Sequence, residues 1–124
     1  MHAVNGIGGI IIKSKDAAAL RTWYATQLGI DVQAWGGTVF DAGSREGGPE
    51  NPLAWAIHDQ ASTQFENTTA PFIVNYRVDD LESLVERLRA AGCQVSETVT
   101  TSEFGLFAWV IDPDGNKAEL WQPI

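Results

Sequence analysis

Cysteine is nearly absent from this sequence, and Cys93 by itself can neither close an intrachain disulfide nor build a thiolate zinc centre, which agrees with a reducing compartment. No acid or base flanks Cys93 directly, so it reads as a small apolar residue after a helix. Cations are scarce as well: eight Lys and Arg stand against sixteen Asp and Glu, for a formal charge of −8. The few cations are scattered, and a nucleic-acid partner is excluded because phosphate binding needs them clustered. His2 and His58 are the only imidazoles. His58 ends a strand beside a polar loop, the setting of a locally hydrogen-bonded His, and His2 belongs to a frayed terminus. No apolar run reaches the roughly 18 residues needed to cross a bilayer, so no membrane partner is expected. Met1-His2-Ala3 lacks the basic start and apolar centre of a signal peptide, and the expected location is the cytoplasm. The glycine-rich stretch from Gly43 to Pro49 lacks the Lys-Ser/Thr ending of a phosphate loop, which excludes one.

Large aromatics, by contrast, are plentiful: five Trp and five Phe in 124 residues, enough to furnish a core and to line a pocket for an organic ligand. The chain is long enough for one domain or for two small modules sharing a core, since units below roughly 40 residues seldom stand alone. Two stretches, Gly8 to Val32 and Phe72 to Val95, share a layout. In each, an apolar strand meets an Asp able to cap a helix (Asp16, Asp79), and a Gly suited to the helix end (Gly29, Gly92) follows thirteen residues later. The helical faces also correspond, with Leu20, Trp23, Tyr24 and Leu28 in one and Leu81, Leu84, Val85 and Leu88 in the other. Glu82 completes a capping-box pattern with Asp79.

This predicts helices at 16–28 and 79–91. Strands are expected at Asp31 to Ala34, Thr38 to Ala42 and Leu53 to His58, then at Gln94 to Thr98, Leu106 to Ile111 and Lys117 to Trp121. Each half is then β-α-β-β-β, and the polar stretch from Asp59 to Pro71 is the linker. A half of this size leaves one sheet face bare. The fold class expected is therefore α+β, with two βαβββ modules, about 5–59 and 71–123, forming a single domain over 1–124: one curled mixed sheet around a cleft, helices outside.

The second half closes on DPDGNKAELWQP. Asp112 to Asn116 carries the residue types of a reverse turn, and the strand after it alternates, putting Glu119 on one face with Lys117 and Trp121. With IIIKSKDAAALRTWYATQLG as first strand and helix, NYRVDDL opening the second module and FAWVIDPDGNKAELWQP as closing hairpin, the chain resembles the vicinal oxygen chelate superfamily. That superfamily contains glyoxalase I, extradiol dioxygenases, fosfomycin resistance enzymes and bleomycin resistance proteins. Its metal-binding members carry a ligand on the first strand of each module and a carboxylate on the last. Counting back seven residues from the helix-opening Asp, as the resemblance implies, gives Gly9 in the first module and, from Asp80, Ile73 in the second; on Leu53 to His58 the matching position is Ala54, or Trp55 if the register differs by one. Only Glu119 offers a donor, and one carboxylate does not hold a divalent ion against water. Neither a metal nor another cofactor is expected.

Alternation then gives the cleft face. Asn75, Arg77 and Ile73 point inward from one strand, Ile11 and Lys13 from the first strand, Phe107 and Trp109 from the penultimate strand, and Trp121 beside Glu119. This set is the expected ligand-binding wall. Glu119, stripped of water by Trp and Ile, is the candidate catalytic group, a carboxyl raised toward general-base range unless Arg77 or Lys13 compensates; a structural ion pair is the alternative. The segment from Ser102 to Gly105 gives a rim on which Glu103 could meet a ligand. The resulting reading is a metal-independent binder of a small organic molecule, with enzymatic activity left open. A metal-dependent glyoxalase- or dioxygenase-like enzyme and a non-enzymatic regulatory module are the alternatives. The resemblance further implies a homodimer.

Overall fold

In the computed structural model, which describes residues 3–41 and 52–124, the chain folds into an eight-stranded mixed sheet with two helices. The elements are β1 (Val4–Ser14), α1 (Ala17–Leu28), β2 (Gly37–Asp41) and β3 (Pro52–Asp59), followed by a short 3-10 turn (Thr63–Phe65). Then come β4 (Phe72–Val78), α2 (Leu81–Ala90), β5 (Gln94–Val95), β6 (Thr100–Ser102), β7 (Gly105–Ile111) and β8 (Lys117–Pro123). The stretch from Gly43 to Pro49, together with Ala42 and His2, lies outside the described residues.

The internal repeat shows in the pairing. β1 runs parallel to β3 and β4 parallel to β8, while β2 and β7 add antiparallel to the outer sides of β3 and β8. β1 and β4 join the halves by an antiparallel ladder at the centre of the order β2-β3-β1-β4-β8-β7-β5, with β6 also on β7. The expected strand from Asp31 to Ala34 does not form. Between the left-handed Gly29 at the end of α1 and the start of β2, the chain spends its length on a turn closed by Gly36 N–H donating to the Gln33 carbonyl. Gly36, at φ 101°, takes the left-handed backbone that this turn requires. β6 was not anticipated, because a three-residue Thr-Thr-Ser strand carries no apolar alternation.

Asp16 caps α1 as expected, its side chain accepting from Ala19 N–H at 3.1 Å. In the second module the cap is Asp80 rather than Asp79: the Asp80 carboxylate accepts from Ser83 N–H at 3.2 Å and from the Ser83 hydroxyl at 2.8 Å, so the Asp79–Glu82 capping box is not made. Asp79 instead accepts from the Asn5 side-chain amide at 2.5 Å. At the far end Gly92, at φ 82°, closes α2, with Gly92 and Cys93 N–H donating to the carbonyls of Arg89 and Leu88.

α2 covers one face of the sheet. Leu81, Leu84 and Val85 pack with Val78, Ala108 and Leu120, all buried, and burial of each large side chain contributes about 1.5–3 kcal/mol. α1 is held differently. Ala17 is its one buried residue, and Trp23 and Leu28 remain 50% and 60% exposed despite their helical spacing. Tyr24 sets its ring edge-on to Trp55 at 5.1 Å, and the Arg21 guanidinium donates to the Ile57 carbonyl. The opposite, concave face of the sheet is left for the cleft. Phe65, the lone aromatic in the polar linker, comes down onto Ile11 and Ile73 and is 5% exposed, so part of that face is a second small core.

Candidate functional site

One row of cross-strand neighbours builds the floor of the cleft: Ala54 beside Gly9, Gly9 beside Asn75, Asn75 beside Glu119, and Glu119 beside Trp109. The count from the helix-opening Asp gave Ile73 as the second-module counterpart of Gly9. In the sheet the counterpart is Asn75, which lies beside Glu119 as Gly9 lies beside Ala54; it stands five residues before the cap Asp80 where Gly9 stands seven before Asp16, and Ile73 pairs with Ile11 instead. Asn75 is 7% exposed and donates from Nδ2 to Glu119 Oε1 at 2.7 Å. Its Oδ1 is buried with no hydrogen-bond partner among the described residues, tucked against Gly8. A Cβ on Gly8 would lie 2.2 Å from that oxygen and 2.9 Å from the Trp121 ring, so glycine here is a packing requirement of the site.

Burial raises the Glu119 pKa above its ordinary value. The Asn75 amide, the Lys117 ammonium and the Gln64 side chain oppose that rise. Lys117 is 6% exposed; its Nζ donates to the Glu66 carbonyl at 3.1 Å and lies 5.1 Å over the Trp109 ring. Burial lowers its pKa, against the pull of Glu66 and Glu119. The turn from Thr63 to Glu66 therefore straps one end of the cleft through Gln64, Phe65 and the Glu66 carbonyl. A linker rich in Gln, Ser and Thr gave no sign of this role beyond Phe65 itself.

Glu119 and Phe107 stand between two chambers and line both. A polar chamber of about 610 Å³ lies toward Gln64, Glu66, Glu97, Trp109 and Lys117. An apolar chamber of about 580 Å³ lies toward Ile11, Trp35, His58, Asn75, Phe104 and Trp121. Both volumes suit a small organic molecule. The Phe107 and Trp121 rings stack at 5.9 Å with 7° between their planes, and the Trp121 indole N–H donates to the Phe104 carbonyl at 2.9 Å, which fixes the rim. On that rim it is Phe104, 64% exposed, that lines the chamber, whereas Glu103 lines neither.

Of the other residues expected on the wall, Arg77 sits 5.6 Å over the Trp121 ring and donates to the Pro52 carbonyl, and Lys13 places its Nζ 5.2 Å over the Phe65 ring. Neither they nor Ile73 line a chamber. Sequence reasoning passed over Trp35, His58 and Gln64 as site residues. His58 was visible as one of two imidazoles, and its pKa is lowered by burial and then by Arg21, which favours the neutral ring.

A divalent metal does not fit these residues. The floor row supplies one carboxyl and one amide, Gly9 and Ala54 supply nothing, and among the described residues no three His, Cys, Asp or Glu come together.

A family model described as a glyoxalase-like domain matches residues 9–121. The chain belongs to the glyoxalase-like family. No curated protein matches this glyoxalase-like chain. Among solved structures, methylmalonyl-CoA epimerase from Mycobacterium tuberculosis superposes with a TM-score of 0.61 at 20% identity, over 98% of this chain and 90% of that one. The Streptomyces coelicolor methylmalonyl-CoA epimerase variant Q60A, in complex with 2-nitronate-propionyl-CoA, gives 0.63 at 15%, over 98% and 99%. A glyoxalase/bleomycin resistance protein/dioxygenase superfamily member from Vibrio splendidus gives 0.54 at 13%, over 91% and 95%. These likenesses place the glyoxalase-like fold and, at such identities, the fold alone. No helix among the described residues is long and apolar enough to cross a membrane.

Proposed function

We propose that this glyoxalase-like protein binds a small organic molecule in its cleft without a divalent metal, using Glu119 as the polar anchor. The observation that carries this reading is the Glu119–Asn75 pair at the junction of two chambers of ligand size, in a row whose other members have no metal-ligating side chain. A cleft walled by aromatic rings around a few polar groups is how small-molecule sites are built. The epimerase structure with 2-nitronate-propionyl-CoA supports it at the level of the scaffold, since that relative takes an organic ligand. The homodimer implied by the resemblance belongs to the same reading, and light scattering at micromolar concentration tests it.

Trp109 and Trp121 face the chambers and will report occupancy. A fragment library screened by Trp fluorescence with EDTA present should yield saturable ligands whose binding weakens in Glu119→Gln. Saturable binding that appears only when zinc, nickel, manganese or iron replaces the chelator would overturn the metal-independent reading.

A further inference from the structure

The charged groups are divided unevenly between the two chambers. Among the described residues the apolar chamber has two titratable side chains on its wall, Glu119 and His58. His58 is held toward its neutral form, so among the described residues no cation lines this chamber to meet an anionic ligand. The cations nearest to it do not line it and each has a partner: Lys13 over Phe65, Arg77 over Trp121 and at the Pro52 carbonyl, and Arg21 at the Ile57 carbonyl. In the polar chamber the one ammonium among the described residues, Lys117, is committed to the Glu66 carbonyl and shares the wall with Glu66, Glu97 and Glu119. Bringing a carboxylate or phosphate beside Glu119 in the apolar chamber would set like charges together with no cation among its described lining residues to offset them. The walls favour flat rings: Trp35 and Phe104 stand at the rim and the stacked Phe107–Trp121 pair behind them.

We infer that the ligand of the apolar chamber is a non-anionic aromatic molecule carrying an O–H or N–H donor, its ring between the rim aromatics and the Phe107–Trp121 stack and its donor on the Glu119 carboxyl. This rests on the reading of the cleft as a ligand site and narrows it to a chemical class. It also sets this chain apart from the epimerase that binds an acyl-CoA analogue, because an acyl-CoA brings several negative charges to a protein of formal charge −8.

Four probes of one ring size test it on the intact protein by calorimetry at pH 7: 2-naphthol, 2-methoxynaphthalene, naphthalene and 2-naphthoate. The indole N–H resonances of Trp35 and Trp121 locate the binding. 2-Naphthol should bind about tenfold more tightly than 2-methoxynaphthalene, as a buried hydrogen bond to a charged acceptor predicts, and 2-naphthoate should bind most weakly. In Glu119→Gln the preference for 2-naphthol over 2-naphthoate should shrink. Equal affinity for 2-naphthol and 2-methoxynaphthalene, or tightest binding of 2-naphthoate, overturns the inference while leaving the cleft a ligand site. Failure of all four to bind or to shift the Trp35 and Trp121 signals overturns both.

Discussion

Gly8→Ala adds a single methyl group where the site has no room for one. The new Cβ would lie 2.2 Å from Asn75 Oδ1 and 2.9 Å from the Trp121 ring, and separations under 3 Å are not held by real Cβ atoms. Gly8 has no left-handed φ, so the backbone tolerates alanine and the whole effect is contact. Either the strand backs away or Asn75 rotates and gives up its 2.7 Å bond to Glu119. Overpacking of a tight interior costs about 1–3 kcal/mol, and the lost hydrogen bond falls within the same range rather than adding to it. Urea unfolding should show a lower midpoint at unchanged slope. NMR titration should show the Glu119 pKa moving further up, because the amide donor that opposes its rise has been displaced. Gly6→Ala is the internal control: among the described residues nothing beyond its chain neighbours lies within 4 Å of the Cβ it would gain, and its stability should change by no more than about 0.5 kcal/mol. If Gly8→Ala proves as stable as Gly6→Ala and Glu119 titrates as before, the close packing of Gly8, Asn75 and Glu119 is refuted.

Glu119→Gln should change how stability depends on pH. A native pKa above the unfolded value of 4.5 means that the wild type is favoured below pH 4.5 and loses that contribution as pH rises through the native pKa, so the variant gains relative stability with rising pH and the gap then levels off; parallel unfolding profiles from pH 4 to 8 would contradict the burial of the carboxyl. Asp80→Ala should cost about 1 kcal/mol as a lost helix cap while Asp79→Ala stays within about 0.5 kcal/mol, and equal losses in denaturant would reopen the assignment of the cap. Phe65→Ala should cost about 3–5 kcal/mol by emptying the contact with Ile11 and Ile73, and a thermal midpoint like that of the wild type would show that the linker does not plug the concave face.

Local chemistry made several features legible in the residues. Asp16 and Gly29 bracket α1, Gly92 ends α2, and the turn from Asp112 to Asn116 sets Glu119 on the same face as Lys117 and Trp121, because capping, left-handed glycine and strand alternation are each decided within a few residues. The doubled layout likewise announced a glyoxalase-like sheet. Which acid capped α2 was not legible, since Asp79 and Asp80 are equally good caps and the choice went with Asp79 bonding to Asn5 across the sheet.

The site shows the same division. Glu119 and its aromatic neighbours followed from period-two alternation, but the partner of Glu119 did not. The β1–β4 ladder pairs Asn75 rather than Ile73 with Gly9, and register across strands distant in sequence is a property of the assembled sheet. Folding of the polar linker puts Phe65 and Gln64 onto the cleft, and the sheet's curl brings Trp35, His58 and Phe104 to one chamber. Sequence alone determined which residues could form helices, turns and an inward carboxyl. Only tertiary structure decided which groups meet that carboxyl and how little water reaches it, because burial and pairing arise from contacts between segments that the chain order leaves far apart.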